Sequence, residues 1–280
     1  MHHLRALLLL GIAAMTLAGC DQAIQPADLG PTIVIEGYLY ANHPIDSIVV
    51  SRSLPIDAYF TDSAARVSGA TVTITVDGRT YPLHESATQP GSYLLAADSL
   101  IVRSRKQYDL RVVALGQTVT ASTTVPDSIS ITSTVPDTIR YPVGEPLGSE
   151  IQLTWSASPT RASYAVSVEA LDTLNYQGDT TTVPNVRIKH PYGGRGFRRR
   201  QVTSYALQIS SPQTPVPWVL YNWFGKQRLT VFAMDTNFFD FMRMIALSGN
   251  TYNSALNHIQ GGIGVFGSAG IDQRDLFLKE

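Results

Sequence analysis

Thr71-Val72-Thr73-Ile74-Thr75-Val76-Asp77-Gly78-Arg79-Thr80-Tyr81-Pro82-Leu83 is the stretch on which the fold class turns. Its first half alternates strictly between threonine and aliphatic side chains, so a strand there has one wet face and one dry face. Asp77-Gly78 follows directly. Asp-Gly between two such runs is a strong hairpin signal, because a type I′ turn needs positive φ at both central residues. The spacing predicts paired strands over 71–76 and 79–83.

The same short alternating runs extend on both sides, at 33–39, 46–53, 92–96, 107–114 and 117–124, with Gly116 marking a second tight hairpin. No helical period interrupts them, which predicts a β-sandwich over 31–126. Val125-Pro126-Asp127-Ser128-Ile129 then recurs as Val135-Pro136-Asp137-Thr138-Ile139. Each proline removes a ladder donor, so a domain boundary is expected here, with the second copy opening the next domain as an edge strand. Over 127–280, strands are expected at 150–155, 163–169, 201–210, 216–221 and 228–234. Asp235-Thr236-Asn237 offers capping side chains, Phe238, Phe241, Met242 and Ile245 repeat at helical spacing, and Gly249 ends the run. One short helix over 236–248 is therefore expected to pack on the second sheet.

Composition narrows the function. The 280 residues carry 21 Lys+Arg against 22 Asp+Glu, a net charge of −1, and only 15% are charged. That balance argues against a dedicated nucleic-acid binder, and the low charge argues against a disordered chain. A single cysteine excludes a disulfide framework and a multi-cysteine metal site.

That cysteine closes the N-terminal segment. One Arg, an apolar run over 6–15 and then Leu17-Ala18-Gly19-Cys20 are the parts of a secretory signal, and the apolar run is too short to span a bilayer. Leu17-Ala18-Gly19-Cys20 resembles the lipobox of bacterial lipoproteins, in which the signal is cut before the cysteine and the thiol is acylated. The expectation is a signal peptide over 1–19, a lipidated, palmitate-bearing Cys20, and a polar tether over 20–30 that ties the protein to a membrane.

Three resemblances sharpen the fold. Val67-Ser68-Gly69-Ala70-Thr71-Val72, Gly91-Ser92-Tyr93-Leu94 and Tyr108-Asp109-Leu110-Arg111-Val112 resemble transthyretin-like and carboxypeptidase-regulatory-like sandwiches. Trp155 on an early strand, followed by the Tyr164-centred one, resembles the fibronectin-III style. The expected fold is mostly β, with two β-sandwich domains of these kinds in that order. Thr32-Ile33-Val34-Ile35-Glu36-Gly37-Tyr38 and Ile259-Gln260-Gly261-Gly262-Ile263-Gly264-Val265-Phe266-Gly267, taken with the lipobox, are similar to outer-membrane lipoproteins of Bacteroidota-type bacteria grouped as domain of unknown function 4249. That resemblance implies a lipid-anchored outer-membrane protein beside TonB-dependent receptors. It implies an accessory or binding component of a receptor or transport system, and no catalytic residue.

The residues themselves point the same way. Gly262-Ile263-Gly264-Val265-Phe266-Gly267 matches G-x-G-x-x-G, but a dinucleotide site needs a strand before it and a helix, a second strand and an acidic residue after it. The short stretch after Gly267 has no room for these, so a structural closing strand of the second domain is expected and no cofactor. His43, His84, His190 and His258 are scattered without metal-ligand spacing, and no G-x-S-x-G elbow occurs. No enzyme and no metal are expected. Two segments stand as candidate contacts. Arg198, Arg199 and Arg200, with Lys189, Arg195, Tyr192 and Phe197, either meet an anionic glycan, a lipid headgroup or nucleic acid, the last disfavoured by the export signal, or form a solvated loop. Trp223 and Phe224, near Trp218 and Tyr221, either face a sugar or protein partner, which makes a carbohydrate-binding lipoprotein the alternative function, or fill the core.

Overall fold

In the computed structural model, which describes residues 30–55, 57–96, 99–142, 151–171, 203–247 and 253–279, residues 32–280 form one compact unit. The chain runs β1 (Ile33–Tyr40), β2 (Ser47–Arg52), a single helical turn α1 (Asp62–Ala65), β3 (Thr71–Val76), β4 (Arg79–Glu85), β5 (Ser92–Leu94), β6 (Gln107–Ala114) and β7 (Gln117–Thr124). It continues through β8 (Thr138–Arg140), β9 (Ile151–Thr154), β10 (Ser163–Ala170), β11 (Thr203–Ile209), β12 (Gln213–Val216), β13 (Gly225–Met234), helix α2 (Thr236–Leu247) and β14 (Ile263–Lys279). The fold is mostly β.

The deciding hairpin forms as its spacing predicts. Asp77 and Gly78 have φ of 49° and 75° and join β3 to β4 with Val76 opposite Arg79. Leu115 and Gly116 do the same between β6 and β7, at 50° and 72°. These are the positive-φ pairs that a type I′ turn requires.

One hydrogen-bonded path runs β11-β10-β13-β14-β1-β2-β5-β4-β3-β6-β7, with β8 added beside β14, and β12-β9 form a second, two-stranded sheet. The long path folds over itself. Ile33, Ile35 and Leu39 of β1 and Ile48 and Val50 of β2 share a core with Val72 and Ile74 of β3, Leu110 and Val112 of β6 and Val119 of β7. Two sheet faces thus close on one apolar layer, which is a β-sandwich. A second core forms where Ile151 and Leu153 of β9 and Val216 of β12 meet Val166 and Val168 of β10, Leu229 and Val231 of β13 and Leu276 and Leu278 of β14. Val125 belongs to the first core and Ile129 to the second, so the proline junction lies where one core gives way to the next.

Strand β14 departs from expectation. It is not a closing strand of the second half alone. Its first part pairs in parallel with β1, Val34 opposite Ile263 through Tyr40 opposite Ala269. Its later part pairs antiparallel with β13, Met234 opposite Ala269 through Gly225 opposite Leu278. The strands before Pro126 therefore do not close the first sandwich by themselves, because β1 needs β14 on its second side. The strand begins at Ile263, and its glycines do permit close approach. A Cβ on Gly267 would sit 2.8 Å from the Phe238 backbone nitrogen, and one on Gly264 (φ 117°) would run into the Ile35 carbonyl oxygen.

A second correction concerns the strand expected over 216–221. The strand ends at Val216, and Trp218–Leu220 form a 3-10 turn instead. Pro217, with φ of −64°, supplies no ladder donor and starts the turn. Helix α2 is where the capping residues and aromatic spacing put it.

Candidate binding surface

The strand that builds the first core also builds a second surface. Along β1 the odd positions Ile33, Ile35 and Leu39 are buried, while Glu36, Tyr38 and Tyr40 fall on the opposite face by the two-residue period. Ala165 of β10, Phe232 and Met234 of β13 and Ala269 of β14 lie on that face, with Tyr38, Tyr40, Leu207, Ile271 and the α2 side chains Phe238, Phe239 and Met242 packed against them. Helix α2 covers part of this face, and a belt of half-exposed tyrosines remains.

Ring geometry ties the belt together. Tyr38 lies 4.9 Å from Phe238 by ring centroids, and Phe238 meets Phe232 edge-on at 6.0 Å. Tyr40 and Tyr205 each stand 6.4 Å from Phe232. Phe232 and Phe238 make the apolar floor, and three phenols rise from it.

The phenols stay neutral. Burial, reinforced by the charge of Glu36, drives the Tyr38 hydroxyl far above its ordinary range. Burial pushes Tyr40 up to about 12, with Tyr205 and Asp46 adding to it. Burial, then Glu169, raises Tyr205. A group held this firmly in its protonated form serves as hydrogen-bond donor and acceptor on an aromatic plate, and is useless as a base at neutral pH. Tyrosines that are amphipathic and ordered by packing are suited to contacts with proteins or sugars.

Several ionisable residues are committed to holding the scaffold. Asp235 Oδ1 accepts from the Phe238 and Ser268 backbone N–H groups at 2.9 and 3.0 Å, capping α2 and gripping β14 together. Asp240 Oδ2 lies 2.8 Å from His258 Nε2, and Asp240 Oδ1 accepts from Arg243 at 3.3 Å, pinning the segment before β14 to the helix. Glu85 accepts from the Gly69 and Gly91 N–H groups, which hold its carboxyl below the ordinary range. Among the described residues no group of three or more His, Cys, Asp or Glu side chains is placed to hold a metal ion, and no helix is long and apolar enough to cross a membrane.

The residues singled out from sequence fare unevenly. Trp223 is only 2% exposed and its carbonyl oxygen accepts from Gln227 Nε2, so the ring is core and not a contact plate. Phe224 is half-buried against the second core, 5.8 Å from Tyr141 in an edge arrangement. Of the two uses that the sequence left open for these rings, contact or core, Trp223 takes the core and Phe224 packs at its edge. Arg198, Arg199, Arg200 and Cys20 lie outside the described residues. Tyr38, Tyr40 and Tyr205 were not singled out, yet the signal is there: Glu36-Gly37-Tyr38-Leu39-Tyr40 puts two tyrosines on the face that the aliphatic residues leave.

The family described as Domain of unknown function (DUF4249) matches residues 23–275. No curated protein matches the chain. Among solved structures, the chicken CNTN1 FN1-FN3 domains are similar at 11% identity, over 90% of this chain and 67% of that one, with a TM-score of 0.23. A bacterial ice-binding adhesin, from a structure concerned with its retention at a host cell surface, is similar at 12% identity, over 89% of this chain and 66% of that one, again at 0.23. The chain spans about two thirds of each.

Proposed function

The chain belongs to the domain of unknown function 4249 family, and from that membership we propose that it is a non-enzymatic, lipid-anchored outer-membrane lipoprotein serving as the binding component of a receptor or transport system. Cys20 carries the anchor. The observation that supports a binding role is the tyrosine belt: Tyr38, Tyr40 and Tyr205 stand as neutral phenols over Phe232 and Phe238. Partially exposed tyrosines on a rigid floor lose little conformational entropy on binding and are enriched where protein partners dock. A TonB-dependent barrel is the partner that the family resemblance implies. Carbohydrate binding is the second reading, favoured by the same aromatic plates.

The test is recovery of an identified β-barrel receptor with the lipidated full chain from detergent-solubilised envelope. Tyr205→Ala, at a residue 43% exposed, should lower that recovery by about fivefold while leaving the fold intact. Glycan-array binding lost in Tyr205→Ala, with no receptor recovered, would replace the leading reading by the second. Unchanged recovery in Tyr205→Ala would sink the belt as the docking surface.

A further inference from the structure

Two aromatic side chains outside the tyrosine belt stand out from the sandwich into solvent. Tyr59 is 89% exposed and Phe60 66% exposed, adjacent in the loop between β2 and α1. Both are uncharged and large, and neither contributes to a core. Such residues in water have an unfavourable hydration that a less polar environment would relieve.

Their position says which environment. Ile33 of β1 pairs with Arg52 of β2, so the start of β1 and the end of β2 lie side by side. Thr32 N–H donates to Ser53 Oγ at 2.9 Å, and Ser53 N–H donates to the Thr32 carbonyl at 2.8 Å. The aromatic loop therefore leaves the sheet at the point where the chain enters it from Cys20. A third exposed apolar residue shares this end. A Cβ on Gly262 would approach the Ile33 carbonyl and one on Gly261 the Thr118 carbonyl, and Thr118 follows the hairpin whose tip is the exposed Leu115. Thr71 opposite Val113 places the start of β3 there too.

Residues 20–30 read as a tether, and a flexible chain of that length spans on average about 20 Å. With Cys20 acylated, this end of the sandwich is held next to the bilayer at a high effective concentration, so weak contacts there become populated. The charges around the loop balance: Arg52 and Arg66 against Asp57 and Asp62. The surface thus suits a neutral headgroup region, where tyrosine and phenylalanine rings partition into the interface, more than an anionic one.

We propose that Tyr59 and Phe60 are a second, peripheral membrane contact that seats the β1/β2 end of the sandwich on the lipid surface beside the Cys20 anchor. This rests on the reading of Cys20 as the lipidated residue. The contact fixes orientation, because one flexible tether leaves a protein free to tumble whereas two points hold one edge down. It also turns the opposite end, where Ile101 bridges to Pro44, toward the aqueous side.

The test uses the lipidated full chain carrying Phe60→Trp, reconstituted into zwitterionic phosphatidylcholine vesicles with or without bromine on the acyl chains. The native Trp155, Trp218 and Trp223 are buried and give a common background. Phe60→Trp should lose emission in brominated vesicles, unaffected by salt, and Ile101→Trp at the opposite end should not. Quenching equal in the two variants, or absent in both, overturns the proposal. Palmitate labelling of wild type and Cys20→Ser reads the anchor separately. If Cys20 takes no label, quenching of the unlipidated Phe60→Trp chain by added vesicles still supports the loop contact, and its absence there overturns it.

Discussion

Thr123 Oγ1 donates to Asp235 Oδ2 at 2.6 Å, joining the last residues of β7 to the cap of α2 across 112 positions of sequence. Ser268 of β14 completes the knot, with its hydroxyl 2.7 Å from that of Thr123. All three residues are buried, so the two halves of the chain meet through a polar contact shut away from water. Buried groups of this kind stabilise only while every partner is present.

Burial raises the Asp235 pKa above its unfolded value, outweighing the hydrogen bonds that lower it. The folded state then holds the proton more tightly than the unfolded one. The stabilisation from this group is full below the unfolded value of about 3.9 and is lost as pH rises through the raised folded value. Asp235→Asn keeps an oxygen for the Phe238 and Ser268 N–H groups and presents an NH2 that Thr123 can accept from. It should remove this pH-dependent component, so that wild type gains relative to Asp235→Asn as pH falls from neutral toward 4. Urea unfolding of both proteins across that range checks it, and parallel curves would refute it. Asp235→Ala orphans two buried N–H groups and should destabilise by about 1–3 kcal/mol for each.

Two glycines with positive φ should respond differently. Gly78 has open space around the position of a Cβ, so Gly78→Val should cost about 1–2 kcal/mol of left-handed backbone strain. Gly264→Ala adds a collision with the Ile35 carbonyl inside the β1–β14 ladder, and should cost more than about 3 kcal/mol. Denaturant midpoints rank them. A Gly264→Ala protein as stable as Gly78→Val would mean that the parallel register is misassigned.

Removing residues 259–280 should damage both sandwiches. It strips β1 of its parallel neighbour and β13 of its antiparallel one, leaving backbone groups and apolar faces open on each. Limited proteolysis should cut the shortened chain on both sides of Pro126. A protected fragment ending near Pro126 would show that the first sandwich closes unaided.

Trp223→Ala and Tyr205→Ala should separate stability from binding. Truncating the buried Trp223 should destabilise by about 3–5 kcal/mol. Tyr205, which projects from the sheet, should cost less than about 1 kcal/mol and change partner recovery instead. Thermal melts of the two variants decide it, and a larger loss for Tyr205→Ala would place that ring in the core.

Local signals were legible wherever the structure is local. The Thr71–Val76 alternation, the Asp77-Gly78 and Leu115-Gly116 turns and the Asp235 cap each depend on neighbours within a few residues, and each formed where sequence placed it. The Val216 region misled because its alternation ran through Pro217, where backbone chemistry outranked side-chain pattern. The partners of β14 were not legible, since nothing in Gly262-Ile263-Gly264 names Val34 as its opposite. The tyrosine belt is a case between the two. Its β1 members follow from period two, but Tyr205, Phe232 and Phe238 reach it only through strand order.

The parallel pairing of Ile263 with Val34 also governs the timing of folding. A contact between segments more than two hundred residues apart must wait for the whole intervening chain, and its closure entropy is met before any of its reward arrives. β1 is among the first strands made and among the last to be completed. A chain built this way commits late, and its first strand keeps one open edge until the final strand is available.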